Sequence, residues 1–310
     1  MRKIVVIYLQ INLGEKEKRE MLKATYVSTL KTLLRSAILW AAVIIVLIMT
    51  VRDALSVHYM QVLLDDDYNI IGEVTDYDPR YEMTYTKYLQ VMRNSAIDIL
   101  LSPLFAVITT MLVLTREHKD SFFEVERAGG TSIKSYFFGR LGAIVTVNVI
   151  MGLVSLFTAV FVYSATRHVI SRCAFTLLEY LWVTVSRLLL LFFTSSFHGM
   201  LFYIALTYAV GQLMKSGFAG AVAGSGYILF LRVCMYNVHF RMSYVYSLLS
   251  PAPDDIYLFW GYIGVDGYLD NIFGYRAWGT LEVLLRTGLV YVVVALLFAV
   301  AYFGIKKRRI

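Results

Sequence analysis

The stretch TGLVYVVVALLFAVAYFGI, residues 287–305, contains no charged side chain and is followed at once by four basic residues, Lys306–Arg309. A hydrocarbon core roughly 30 Å thick is crossed by about 20 mainly apolar helical residues, which is the length of this stretch. Four other runs meet the same standard, and a shorter one ends at Arg52, whose side chain can reach the interface. The sequence therefore predicts six transmembrane helices, near residues 36–52, 96–115, 141–163, 188–213, 217–236 and 287–305.

The composition supports the same class of protein. Of the 310 residues, 58% are hydrophobic and 16% are charged, whereas soluble domains carry about 25% charged residues. We therefore predict an all-α integral membrane protein in which residues 1–310 form a single transmembrane domain. The formal net charge of +7 is interpreted as Lys and Arg beside anionic membrane lipid. We predict no nucleic-acid partner, because no basic stripe with interleaved aromatic residues lies outside the spans.

The distribution of charge predicts the orientation. Cytoplasmic loops are enriched in Lys and Arg, so the basic segment 116–140 and the basic carboxyl end are placed inside the cell and the acidic segment 53–95 outside. Arg167, Arg172 and Arg187 depart from this rule. We predict a multi-pass protein of the plasma membrane, with both termini in the cytoplasm and outside segments at 53–95, 165–187 and 237–282.

The amino-terminal segment, residues 1–35, is predicted to lie in the cytoplasm. Apolar side chains recur at helical spacing within residues 15–34, and lysines lie off that stripe. An amphipathic, basic helix joined directly to a span is expected to lie on the membrane surface. No cleaved signal peptide is predicted, because the segment lacks a small-residue cleavage site. The stripe consists of Leu22, Tyr26, Leu30 and Leu33.

Motifs of enzymatic chemistry do not occur in this sequence. It has no GxxxxGK[ST] phosphate loop, no HExxH and no GxSxG, so we predict a chain that is not an enzyme, with no catalytic residue, cofactor or metal. His198 lies in a span and is interpreted as a hydrogen-bonded interior side chain. Cys173 and Cys234 belong to no metal-binding pattern, and their pairing is left open.

The second predicted cytoplasmic segment, REHKDSFFEVERAGGTSIKSYFFGR at residues 116–140, is the most informative part of the chain. A charged, helix-like part ends at Gly129-Gly130, and Phe122 and Phe123 lie between charged residues. Exposed paired aromatic residues are typical of a docking surface. In the fifth span, Gly220 and Gly224 are predicted to mark a helix-packing face, since small residues four apart let helix backbones approach closely.

This segment and the six predicted spans resemble the type-2 ABC transporter permeases. Members carry Arg-Glu after the second span, then Gly-Thr, Glu, Pro and Ser, and Gly-Lys at the entry to the third span. Here Ser121-Phe122 replaces Gly-Thr, Gly130 replaces Pro, and Arg140 replaces Lys. The matching residues are Arg116-Glu117, Glu124, Ser132 and Gly139.

The resemblance implies a function and partners. The segment would be a coupling helix that docks on a separate cytoplasmic ATPase subunit, which would hold ATP and Mg. Two permeases, identical or homologous, would form the substrate path of an exporter. The docking residues would be Arg116, Glu117, Phe122, Phe123, Glu124 and Arg127, with Glu117 also orienting the end of the second span.

An alternative is the membrane subunit of an ABC-type mechanotransmission or signalling complex that does not itself translocate substrate. Such a subunit moves an outside domain, and a large outside domain would favour this class. The segment 53–95 is too small to be such a domain. The sequence leaves the transported substrate open.

Overall fold

The computed structural model describes residues 19–56, 62–64, 70–73, 101–119, 132–167, 197–236 and 280–307. These residues form helices and one small sheet. The helices are α1 (Arg19–Leu34), α2 (Ala37–Ser56), α3 (Leu101–Lys119), α4 (Ile133–Arg167), α5 (Phe197–Leu213), α6 (Gly217–Tyr236) and α7 (Thr280–Lys307), and the strands are β1 (Val62–Leu64) and β2 (Ile70–Glu73).

A helix, α2 to α7, lies at each of the six positions at which a span was predicted. Residues 96–100 and 188–196, at the starts of two predicted spans, lie outside the described residues. Other helices are longer than predicted because hydropathy marks only the apolar part of a helix, whereas backbone hydrogen bonding continues into polar residues. Helix α3 therefore extends to Lys119 and includes Arg116 and Glu117, and α4 begins at Ile133, ahead of the predicted 141.

Fewer of these helices have the length and composition to cross a membrane. Two of the helices within the described residues do, over Ile133–Thr158 and Gly288–Lys307. A third span is possible on the same criteria if Arg19–Leu34 and Ala37–Arg52, which are bent by 67° at their junction, are counted as one. By length and composition, the described residues thus provide two or three spans rather than the predicted six.

The described helices agree with the predicted all-α class, to which the structure adds one short β-ribbon. Strands β1 and β2 pair antiparallel, with Val62 opposite Glu73 and Leu63 opposite Gly72, and the register shifts between Leu63 and Leu64. This ribbon lies in the segment 53–95, which was predicted to be outside and was assigned no structure. The described residues do not include 57–61, 65–69 and 74–95 of that segment, nor residues 168–187 (with Cys173) and 237–279 of the other two predicted outside segments.

Serine side chains cap the starts of α2, α4 and α6. In each case the serine directly precedes the helix, and its Oγ accepts a hydrogen bond from a backbone N–H in the first turn. The capping residues are Ser36 (3.4 Å from Leu39 N), Ser132 (3.1 Å from Ser135 N) and Ser216 (3.2 Å from Ala219 N). Two of the capped helices begin within four residues of the helix before them, α2 after α1 and α6 after α5.

Helix α1 packs on the start of α4 and then turns away into α2. Its buried face is formed by Thr25, Thr29 and Leu33. Of the predicted apolar stripe, Leu33 is buried whereas Leu22 is 38% exposed, so the buried face is partly hydroxylic. At the bend, the Trp40 indole Nε1 donates to the Leu34 carbonyl at 2.8 Å.

Helix α5 is the centre of the bundle, since it contacts α3, α4, α6 and α7. Helix α2 packs on α4 and α3. Large apolar side chains stay exposed on the outer faces of α2, α6 and α7, which suits helices surrounded by lipid. They include Ile44, Ile48, Phe218, Val233, Leu296 and Phe303.

Candidate functional site

Three polar side chains meet where α3 ends, α4 begins and α5 ends. Glu117 lies in the last turn of α3, Arg140 lies near the start of α4, and Gln212 is next to the last residue of α5. We call these three residues the polar cluster. All three are buried: the Glu117 side chain is 0% exposed, the Arg140 side chain 3%, and Gln212 2%.

The Glu117 carboxylate accepts hydrogen bonds from both neighbours. Arg140 Nη1 donates to Glu117 Oε2 at 3.1 Å, which also forms an ion pair. Gln212 Nε2 lies 3.0 Å from each of the two carboxylate oxygens. A buried charge needs a counter-charge and hydrogen bonds, and the carboxylate has both here. The cluster thereby joins three helices through one side chain.

The Arg140 guanidinium also contacts an aromatic ring. Its Cζ lies 4.0 Å from the centre of the Tyr136 ring, which is fully buried one turn earlier on α4. A cation over an aromatic face is attracted by the ring quadrupole. Ion pair and ring together fix the direction in which Arg140 points.

Glycines allow the end of α5 and the start of α6 to approach α3 closely enough for this contact. A Cβ at Gly211 would lie 2.5 Å from Leu114 Cδ1, and a Cβ at Gly217 would meet the Thr115 side chain. Between them the turn passes through Lys215, whose φ is 50°, the left-handed conformation that often ends a helix. These residues bring Gln212 within reach of Glu117.

The predicted packing glycines lie further along the same interface. A Cβ at Gly220 would meet the Thr207 carbonyl oxygen and lie 3.2 Å from Gly211 Cα. A Cβ at Gly224 would lie 2.5 Å from Thr207 Oγ1 and 2.6 Å from Val107 Cγ2. Both positions therefore face α5, and Gly224 also faces α3.

Helix α1 is attached to the same end of the bundle. Arg116 is exposed, and its Nη1 donates to Thr32 Oγ1 at 2.7 Å. On α4, a Cβ at Gly139 would lie 2.9 Å from Thr25 Cβ. Gly139 and Arg140 thus have different roles, since the glycine lets α1 pack closely against α4 and the arginine binds Glu117.

Exposed basic residues surround the polar cluster at this end. Lys134 lies at the start of α4, Lys215 in the turn between α5 and α6, and Lys306 and Lys307 at the end of α7. Helix α7 reaches the cluster, because a Cβ at Gly304 would lie 3.5 Å from Gln212 Cβ. This is the basic end of the bundle.

The predicted docking residues divide into two groups. Arg116 and Glu117 belong to α3, whereas the other four lie outside the described residues. Glu117 was predicted to dock on a partner, but its carboxylate is buried within the bundle and bound to Arg140 and Gln212. It is therefore part of an internal contact rather than of an exposed surface. The four residues outside the described ranges are Phe122, Phe123, Glu124 and Arg127.

Comparison of the chain with protein-family models, with curated proteins and with solved structures found no match. Within the described residues, no group of three or more His, Cys, Asp or Glu side chains is placed to bind a metal ion. His198 is buried on α5, with its ring centre 6.3 Å from that of Tyr291.

Gln212 was not singled out in the sequence analysis. A lone glutamine at the end of an apolar helix, in TYAVGQLMK at residues 207–215, looks like an ordinary interfacial residue. The available signal was its position beside Gly211, since a small residue next to a polar one marks a place where another helix can approach.

Proposed function

We propose that this chain is the membrane-spanning permease subunit of an ATP-driven ABC transporter, an exporter whose ATP is hydrolysed by separate ATPase subunits. The observation that carries the proposal is the contact between Glu117 and Arg140. The resemblance selected these two positions from sequence alone, 23 residues apart, and their side chains form the buried ion pair. The residues 118–139 between them include the proposed coupling helix.

The pair gives a physical route for coupling. Because Glu117 and Arg140 hold the end of α3 against the start of α4, a force on residues 120–131 acts on two joined helices rather than on a free loop. ATP binding would bring two ATPase subunits together, and the docked segments would carry this movement into the bundle. The result would be a shift between inward-open and outward-open populations.

The proposed topology has six spans, α2 to α7, with α1 on the membrane surface. A helix at each predicted position and the bend between α1 and α2 support it. Lys and Arg collect at the end that holds the polar cluster, and on the positive-inside rule we assign this end to the cytoplasm. Both termini would then be cytoplasmic, in the plasma membrane. Two copies of the chain, or one copy and a homologous permease, would surround the substrate path.

The test is to purify the tagged chain from a mild detergent and to identify its partner by mass spectrometry. We expect an ABC ATPase to co-purify, and ATP hydrolysis by the reconstituted complex to exceed that of the ATPase alone. Replacing Phe122 and Phe123 by Ala should remove about 100 Å² of apolar contact, or about 2.5 kcal/mol at roughly 25 cal/mol per Å². Phe138→Ala, at an exposed phenylalanine of α4, is the control.

Wild-type chain that recovers no ATPase, or a double variant that binds the ATPase as tightly as the control, would refute the proposal. Export of a substrate from vesicles by the complex distinguishes a transporter from a signalling subunit. ATP hydrolysis that depends on the chain but moves no substrate would favour the signalling subunit.

A further inference from the structure

Gln212 lies where the polar cluster meets the central helix of the bundle. Helix α5 contacts four other helices, so a movement of its end reaches most of the packed interior. The Gln212 side chain points to Glu117 of α3, and the α7 backbone passes beside its Cβ at Gly304.

The geometry of the Gln212 amide makes this contact sensitive to displacement. Its Nε2 lies 3.0 Å from both carboxylate oxygens, as in a three-centre hydrogen bond, and a hydrogen bond is lost beyond about 3.5 Å. With the side chains unmoved, a relative shift of more than about 0.5 Å between the ends of α3 and α5 would lengthen the contact beyond that limit. Because the amide is neutral, it adds no further charge to the buried Glu117–Arg140 pair.

We propose that Gln212 is a positioning residue that makes the end of α5 follow the joined ends of α3 and α4. The inference rests on the proposed function for the source of the movement, which is the ATPase docked on residues 120–131. The hydrogen bond between Gln212 and Glu117 is observed in the structure and does not depend on that function. Movement at the basic end would reach α5 through the Glu117 carboxylate and spread to α6 and α7 by packing.

The variants separate hydrogen bonding from packing. Gln212→Leu keeps the approximate volume and removes the donor, and Gln212→Glu places a second carboxylate against Glu117. The double variant Glu117→Gln with Gln212→Glu restores one carboxylate, one amide and one guanidinium in the cluster. Thr207→Val is the matched control, since it changes a buried hydroxyl of the same helix at the α6 contact.

The first readout needs no ATPase. Cysteines are placed at the exposed positions Lys134 and Leu213 of a chain without its native cysteines, and both are spin-labelled. Pulsed electron paramagnetic resonance then measures the distance between the start of α4 and the end of α5. We expect one narrow distribution for wild type and Thr207→Val, and a broadened or shifted one for Gln212→Leu and Gln212→Glu. The double variant should return toward the wild-type distribution.

The second readout is the reconstituted complex with its co-purified ATPase. For Gln212→Leu we expect ATPase binding to be kept and chain-stimulated hydrolysis to fall by about 5-fold or more, the usual range for loss of coupling between sites. The double variant should recover hydrolysis relative to Gln212→Glu alone.

The outcomes distinguish the inference from the proposed function. A Gln212→Leu chain with wild-type distances and wild-type coupled hydrolysis would overturn the inference while leaving the proposed function intact. Equal effects of Thr207→Val and Gln212→Leu would also overturn it, because packing alone would then explain both. A wild-type chain that binds no ATPase would refute the proposed function, and the transmission of movement to α5 with it.

Discussion

Removing one member of the buried ion pair should cost at least as much stability as removing both. Arg140→Met deletes the guanidinium, keeps an unbranched side chain, and leaves the Glu117 carboxylate fully buried with Gln212 as its donor. Leaving one buried charge without its partner costs about 3–5 kcal/mol. Glu117→Gln should fall at the lower end of that range, because the Tyr136 ring lies 4.0 Å from the remaining cation.

The double variant Glu117→Gln with Arg140→Met carries no charge in the cluster. A glutamine at 117 can accept a hydrogen bond from Gln212. The free energy of unfolding should therefore fall only by the contribution of the lost charge-assisted hydrogen bonds, about 1.5–3 kcal/mol. If the two sites were independent, the single costs would add to about 6–10 kcal/mol. The expected double-mutant cycle is therefore strongly non-additive, with the double variant as stable as or more stable than either single one.

Unfolding of the purified chain by added SDS in mixed micelles, followed by tryptophan fluorescence, measures these free energies. Lys134→Met, at an exposed lysine of the same helix, is the matched control and should change little. Additive costs, with the double variant the least stable, would refute the ion pair. Single variants that match the control would show that the Glu117 and Arg140 side chains are not buried together.

Two further predictions use other parts of the chain. Gly220→Ala should destabilise the bundle by about 1–3 kcal/mol in the same assay, because its Cβ would meet the Thr207 carbonyl. The control Gly226→Ala, where the Cβ would contact nothing within 4 Å, should be neutral or stabilising. Equal losses of stability in the two variants would contradict the packing argument. The second prediction uses single-cysteine variants of a chain without its native cysteines, expressed in intact cells. A cysteine replacing Asp66 should react with an impermeant thiol reagent added outside, and a cysteine replacing Lys215 should not. The reverse pattern would invert the proposed topology.

The sequence predicted where the helices lie better than where they end. The bounds of α6 agree with the prediction of 217–236, because turn residues precede it and polar residues follow it. Helix α4 begins well before the predicted 141, since Lys134 and Arg140 interrupt the apolar run without interrupting the helix. Hydropathy measures the preference for lipid, and backbone hydrogen bonding does not depend on it.

Only part of the polar cluster could be identified from the sequence. Glu117 was singled out with two roles, docking on a partner and orienting the end of the second span. Its burial against Arg140 and Gln212 leaves no carboxylate surface for docking and places it where it can orient α3. A sequence pattern shows that a charge occurs after an apolar run, but only the packing of three helices shows whether that charge faces solvent. For the same reason Gln212, which is distant in sequence, could not be linked to Glu117.

Polar contacts also fix the register of α3 against α4. Besides the ion pair, Asn148 Nδ2 donates to Thr109 Oγ1 at 2.7 Å in the buried interior. Thr109 and Glu117 are eight residues apart (117 − 109), as are Arg140 and Asn148 (148 − 140). At 1.5 Å per residue, both separations are about 12 Å, which suits two antiparallel helices joined at two points.

This matched spacing explains why charges are buried at the end of an apolar bundle. Apolar helices in lipid gain no hydrophobic energy from pairing, so apolar packing alone would specify their register weakly. A slip of α3 against α4 by one turn, about 5.4 Å, would break the Thr109–Asn148 and Glu117–Arg140 contacts at once and leave a charge unpaired. Packed apolar residues of similar volume could stabilise the bundle equally well, but they would not impose this penalty on the wrong register. The ion pair and the Asn148 contact thus favour one relative position of the two helices that flank the proposed coupling helix.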